Sequence, residues 1–197
     1  MKNMDLINTL LLKLGLAKKA HPLIVLGKKL SNNNNAVVKS LELYCVSPDA
    51  YFEDISEFEK DNCFIESVDD ITPVDALVRA LSSTGVVICV DNRSEPLRVL
   101  PLLQKLTPIR FEASGLFKDL ETFYRETNYG FGSLVGGGGS IEHSPTLFDC
   151  LDSVRLKMLA INDDSDALIL FLCHEDEHTK IIELAKEAKI NLYFEHM

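Results

Sequence analysis

Basic side chains are the scarce class in this sequence. Its 197 residues hold 20 Lys and Arg against 30 Asp and Glu, a formal net charge of −10 with a pI near 4.9. A phosphate backbone is gripped by an excess of cations, so the balance argues against nucleic acid as a partner. It argues equally against an anionic membrane surface. Long apolar runs are missing too. Leu10–Leu12 and Leu168–Cys173 fall far short of the ~20 residues that cross a bilayer. The N-terminus lacks the charge order of a secretion signal, because Asp5 comes early while Lys13, Lys18 and Lys19 come late. No membrane partner and a cytoplasmic location are therefore expected. No internal repeat is present.

Cysteine chemistry is equally sparse. Cys45, Cys63, Cys89, Cys150 and Cys173 are odd in number and widely spaced, and no CxxC occurs. Most sit in apolar stretches such as Val86–Val90. They are expected to be reduced thiols packed in a core, as in a reducing compartment. What is there in quantity is ordinary: 46% hydrophobic and 25% charged residues, as in globular proteins. A chain of this length buries enough surface to fold without a metal or a disulfide, so one domain over residues 1–197 is expected.

Periodicity and punctuation divide the chain as follows. An amphipathic helix is predicted for Asp5–Leu16, then a short strand at Pro22–Leu26 and an exposed turn at Asn32–Asn35. Ala36–Val46 reads as a strand closed by Pro48, Ala50–Lys60 as an acidic helix, and Cys63–Val68 as a short strand. Thr72 caps a helix that opens on Pro73 and carries Val74, Leu77, Val78 and Leu81 on one face. Val86–Val90 is a buried strand, Glu95–Leu106 a helix kinked or broken at Pro101, and Phe117–Thr127 another amphipathic helix. Residues 130–144 are expected to form a flexible loop, since Gly136–Ser140 has the composition of a flexible linker. Thr146–Ser153 reads as a short helix. Leu156–Asn162 and Ala167–Cys173 read as strands joined by the acidic turn Asp163-Asp164-Ser165-Asp166. Glu175–Lys189 is a helix and Ile190–Phe194 a last strand. The predicted fold is α+β: a single mixed or antiparallel sheet, helices mainly on one face, and a C-terminal β-β-α-β unit.

One string carries recognisable chemistry. His174-Glu175-Asp176-Glu177-His178 satisfies HExxH. On a helix, His174 and His178 would share a face and could hold Zn²⁺, with Glu175 as general base on the bound water. Glu195 or His196 could supply a third ligand. Against this, the string falls at a strand–helix boundary, so His174 is expected to cap the helix. Its three acids also have a simpler role, opposing the helix dipole. Asn162-x-Asp164-x-Asp166 matches the start of a calcium loop, but Ala167 and Cys173 stand where Gly and Glu are needed. No GxSxG is present, GxGxxG is not completed after Gly130 and Gly132, and Cys173 and His174 point to opposite faces of a strand. His21, His143 and His196 are expected at the surface. The basic stretch Lys18, Lys19, His21, Lys28, Lys29 reads as a solvated face.

Two segments, Asp75–Pro96 and Met158–Leu172 with the helix Ile181–Ile190 after it, carry a resemblance. Together they resemble a bacterial family of small acidic proteins described only as a domain of unknown function. That family pairs a helix, a glycine and a strand ending in Leu-Asp-Trp with a C-terminal Ile-Asp/Asn…Ser-Asp-Ser segment. Val90-Asp91 and Asn162–Leu172 match it, while Asn92 stands in place of the family's Trp, which this chain lacks altogether. The resemblance runs chiefly over residues 72–106 and 146–194. It implies an α+β domain of the bacterial cytoplasm and no particular activity.

The expectation that follows is a non-catalytic, acidic protein-binding module, of the kind that an immunity or regulatory protein uses to cover a basic partner. Its acidic patches are Asp49–Asp61 and the turn Asp163, Asp164 and Asp166; its binding would be sensitive to salt. No cofactor is expected on this reading. The alternative is a zinc hydrolase built on His174, Glu175 and His178. A nucleotide or other small-molecule site at the Gly130–Ser140 loop is a third reading.

Overall fold

A computed structural model describes residues 20–135, 145–163 and 166–193. The predicted helix Asp5–Leu16, the glycine run and the ends of the chain lie outside these residues. At the centre is a four-stranded antiparallel sheet. Its strands are β1 (Ile88–Asp91), β2 (Leu156–Ile161), β3 (Ala167–His174) and β4 (Leu192–Tyr193), in spatial order β1-β3-β2-β4. β2 and β3 form the predicted hairpin, with Leu156 opposite His174 and Ile161 opposite Ile169. β1 pairs with the first half of β3 alone, from Asp91 opposite Ala167 to Ile88 opposite Leu170.

The side chains of the hairpin alternate with a period of two, as the pleat dictates. Leu159, Ile161, Ile169, Phe171 and Cys173 enter one core, and Leu156, Met158, Ala160, Leu168 and Leu170 enter the other. The larger layer, on the first face, is made by α1 (Pro22–Leu30), α2 (Asn35–Val46), α3 (Pro48–Asp54), α5 (Pro73–Ser82) and α10 (Glu175–Ala188). The opposite face, for which the sequence predicted little cover, carries a second layer. It consists of α6 (Pro96–Lys105), α7 (Phe117–Glu126), α8 (Phe131–Val135) and α9 (Leu147–Asp152). α10 carries the chain from β3 over β2 to β4 and completes the C-terminal β-β-α-β arrangement. Among the described residues no helix is long and apolar enough to cross a membrane.

The N-terminal third differs from expectation. Pro22–Leu26 and Ala36–Val46, predicted as strands, are helices. Pro22 occupies the first helical turn, His21 accepts the Leu23 N–H, and Leu23, Leu26 and Gly27 form one buried stripe. Val37 and Leu41, one turn apart, are the buried members of α2. Gly27 lets the two helices meet closely, since a Cβ there would lie 2.1 Å from Leu41 Cδ1. Between them Asn32 and Asn33 take left-handed backbone conformations, and Asn34 caps α2 through its side chain. The acidic helix divides at Ile55 into α3 and α4 (Glu57–Cys63), and the strand predicted at Cys63–Val68 is instead the last residue of α4, an irregular connection over 64–67 and the start of a 3₁₀ turn at Val68–Asp70. α6 runs unbroken through Pro101, losing only the bond to the Leu97 carbonyl while Val99, Leu100 and Leu103 stay buried. Within the loop predicted at 130–144, Phe131–Val135 form α8.

Candidate protein-binding surface and the cleft at His174

Residues 48–70 carry nine carboxylates and a single base, Lys60. Local chemistry fixes this stretch. Pro48 starts α3. A capping box starts α4, in which the Glu59 N–H donates to Ser56 Oγ and the Ser56 N–H to Glu59 Oε2, both at 3.2 Å. Asp70 accepts from the Ser67 hydroxyl at 3.0 Å and from the N–H groups of Ser67 and Glu66, which together hold its carboxyl below the usual range.

The inner side of the stretch is anchored by Tyr51 and Ile55, both in the core. Arg79 of α5 braces it from behind. Its guanidinium donates to Glu59 Oε1 at 3.3 Å, Asp54 Oδ2 at 3.4 Å and the Asp54 carbonyl at 3.2 Å, and it lies 5.4 Å from the centre of the Tyr51 ring. Partial burial acts to raise Glu59, but the hydrogen bonds from Arg79 and Ser56 outweigh it and hold the carboxyl below its ordinary value.

The outer side is unlike an ordinary solvated acidic face. Phe58 is 78% exposed, Phe64 87% and Val46 78%. Phe64 ends α4 with φ 54° and ψ 40°, the left-handed conformation that costs a side-chain-bearing residue about 1–2 kcal/mol. A glycine or asparagine is the usual occupant of such a helix end.

The HExxH string lies elsewhere, at the end of β3. His174 is the N-cap of α10, as expected: its Nδ1 accepts the Asp176 N–H at 3.4 Å and lies 3.2 Å from Asp176 Oδ2. The acids of the first turn are engaged in ion pairs, Glu175 and Asp176 with Arg155 and Glu177 with Lys29. His178 is half-buried one turn on. Among the described residues no three His, Cys, Asp or Glu side chains converge as a metal site requires. Glu195 and His196 lie outside the described residues. His174 and Glu177 do line a cleft of about 450 Å³, with Lys29, Asn32, the Leu106–Ile109 loop and Cys173. Cys173 brings no nucleophile to it, because burial, with Glu177 adding to it, pushes the thiol up to about 12.

The remaining site residues are dispersed. Asp163 is half-buried and Asp166 exposed at the hairpin turn, while Asp164 lies outside the described residues. Burial and, second, the charge of Asp163 raise both Cys89 and Tyr193. Among the described residues Cys45 Sγ and His21 Nδ1 lie 3.4 Å apart, and burial raises the thiol.

Fold and surface together define an α+β protein with helical layers on both sides of an antiparallel sheet and an acidic face set with exposed phenylalanines. The chain belongs to the DUF6630 family, a domain of unknown function, whose family model matches residues 23–195. The match runs from α1 past β4, well beyond the two segments that carried the resemblance. No curated protein and no solved structure matches the chain.

Proposed function

We propose that the chain is a protein-binding module that seats a basic partner on the face formed by α3, α4 and the 3₁₀ turn after them. The observation that carries the reading is the coincidence, in one stretch, of exposed Phe58 and Phe64 with nine carboxylates. Buried aromatic anchors supply most of the affinity at protein interfaces, and a charged surround supplies steering and choice of partner. Phe64 adds an argument from cost. An aromatic side chain held in a strained, solvated position stabilises nothing in the free molecule, which fits a residue retained for contact. The partner's chemistry follows: a lysine- or arginine-rich surface with apolar depressions that accept the two rings. An immunity-type or regulatory role, acting by covering that surface, suits such a face.

The test uses the full chain as bait at low salt, followed by titration of the captured basic protein. Phe58→Ser and Phe64→Gly should each weaken binding by about tenfold or more, and raised salt should weaken it further. Phe64→Gly should leave the stability of the free chain unchanged or raised by up to about 1 kcal/mol. Affinity indifferent to salt and to both substitutions would overturn the reading.

A further inference from the structure

The described part of the molecule holds a second cavity, on the side of the smaller layer and apart from the acidic face. Its volume is about 570 Å³, and it lies between the start of α6 and the end of α7, lined by Arg93, Glu95, Pro96, Leu97, Tyr124, Arg125, Thr127, Asn128, Tyr129 and Gly130. We propose that it binds a small organic phosphate, a phosphate monoester whose organic part bears a flat ring, as in a nucleoside monophosphate.

The cations come first. In a chain of net charge −10 this cavity has two arginines in its wall. Arg93 has no ion pair among the described residues. Arg125 donates one Nη2 hydrogen bond to Glu121 at 2.6 Å and keeps its other donors. Glu95, the one acid in the wall, is bound to Arg98 at 2.9 Å. Guanidinium groups with donors to spare are the side chains best matched to phosphate oxygens.

The wall is also built to stay in place. The turn Asn92–Ser94 that bears Arg93 is held by its own Asp91, which accepts the Arg93 N–H at 2.6 Å. It is held from outside by the segment Gly130-Phe131-Gly132, whose Phe131 and Gly132 N–H groups donate to the Ser94 and Asn92 carbonyls at 2.9 and 2.8 Å. Both glycines are required for this approach. A Cβ at Gly130 would lie 2.6 Å from the Asn92 carbonyl oxygen, and one at Gly132 2.6 Å from Asn92 Oδ1. The pair that fails to complete a dinucleotide fingerprint thus serves to lock the arginine-bearing turn.

Size and lining point to the rest of the ligand. The cavity falls in the range of about 300–1,000 Å³ typical of small-molecule sites, larger than a bare phosphate needs. Tyr129, 53% exposed, stands in its wall as a flat surface for a ring, while Tyr124, also in the wall, is 4% exposed and part of the core. Asn128 offers an amide for hydrogen bonds.

The experiment is a calorimetric titration of the full chain with adenosine 5′-monophosphate, adenosine and inorganic phosphate in parallel. The monophosphate should bind saturably, and adenosine and inorganic phosphate each about tenfold or more weakly. Arg93→Gln, at an exposed position, should weaken the monophosphate by about tenfold or more; Arg110→Gln, outside the cavity, should leave it unchanged. No saturable binding of the monophosphate would overturn the proposal, as would equal affinity for adenosine or for inorganic phosphate. Equal affinity of the Arg93→Gln chain would overturn it too.

Discussion

Burial decides what the thiols of this protein can do. Cys173 is pushed up to about 12 and Cys150 up to about 11, in both cases first by burial. Each therefore stays protonated at neutral pH, and reagents that need a thiolate meet neither. Cys63, exposed at the end of α4, should react at once, with Cys150 and Cys173 reacting only when denaturant opens the core; rapid labelling of native Cys173 would contradict this. A stability effect accompanies it. The folded pKa of both groups lies above the ordinary thiol value of 9.0, so the unfolded chain loses these protons first. The contribution of the two thiols is complete below pH 9.0 and is lost as pH rises toward 11 and then 12. Urea midpoints should fall across that window and less steeply in Cys173→Ala. At this scale apolar neighbours announced the burial of Cys150 and Cys173 but misled at Cys89, which is exposed because β1 is an edge strand, and at Cys45, which is half-buried. The sequence was silent about Phe58 and Phe64, since exposure of an aromatic ring is a property of the finished surface. Arg93 and Arg125 were equally hidden, because only the packing of α7 beside α6 brings them to one wall.

Among the elements, those with strong punctuation were legible. Thr72 caps α5 ahead of Pro73 and His174 caps α10, each accepting a backbone N–H as expected, and Thr146, read from the sequence as the first residue of its helix, caps α9 in the same way. The β2–β3 hairpin was legible from its apolar runs and the acids between them. α1 and α2 were not, because Leu23–Leu26 is a short apolar run that fits a strand as well as a buried helix. The decisive signal was the pair Pro22 and Gly27: a proline suited to a first helical turn and, further along the same helix, a glycine where α2 crosses. Gly27→Ala puts a methyl group 2.1 Å from a methyl of buried Leu41. It should destabilise the chain by about 1–3 kcal/mol, as overpacking in a filled core does, although alanine is the better helix former. Urea unfolding measures this, and an unchanged or raised stability would mean that α1 and α2 meet less closely. Arg79 has a comparable role between elements. It ties α3 and α4 to α5 and places a cation behind carboxylates that would otherwise repel one another.

For the whole molecule, uneven charge matters more than net charge. Most of the surplus acid lies on the face of residues 48–70, while the cavity beside α6 collects arginine. Salt should therefore act with opposite signs on folding and on binding. Between about 0.01 M and about 0.15 M the Debye length shortens from ~30 to ~8 Å. Repulsion among the carboxylates is then screened, and the free chain should gain on the order of 1 kcal/mol in urea unfolding. Over the same range its affinity for a basic protein should fall. A free chain that loses stability with added salt would show that attraction, not repulsion, dominates its surface.

β3 sends alternate side chains to opposite sides, Phe171 into one core and Leu170 into the other. Neither helical layer can peel away without stripping the strand on which the other rests. The two cores thus form one cooperative unit, and amide exchange in α1 and α7 should reach the same slow limit. A ligand held beside Arg93 would then slow the opening of α1 on the far side of the sheet with no route of contacts between them, through nothing more than a shared unfolding equilibrium.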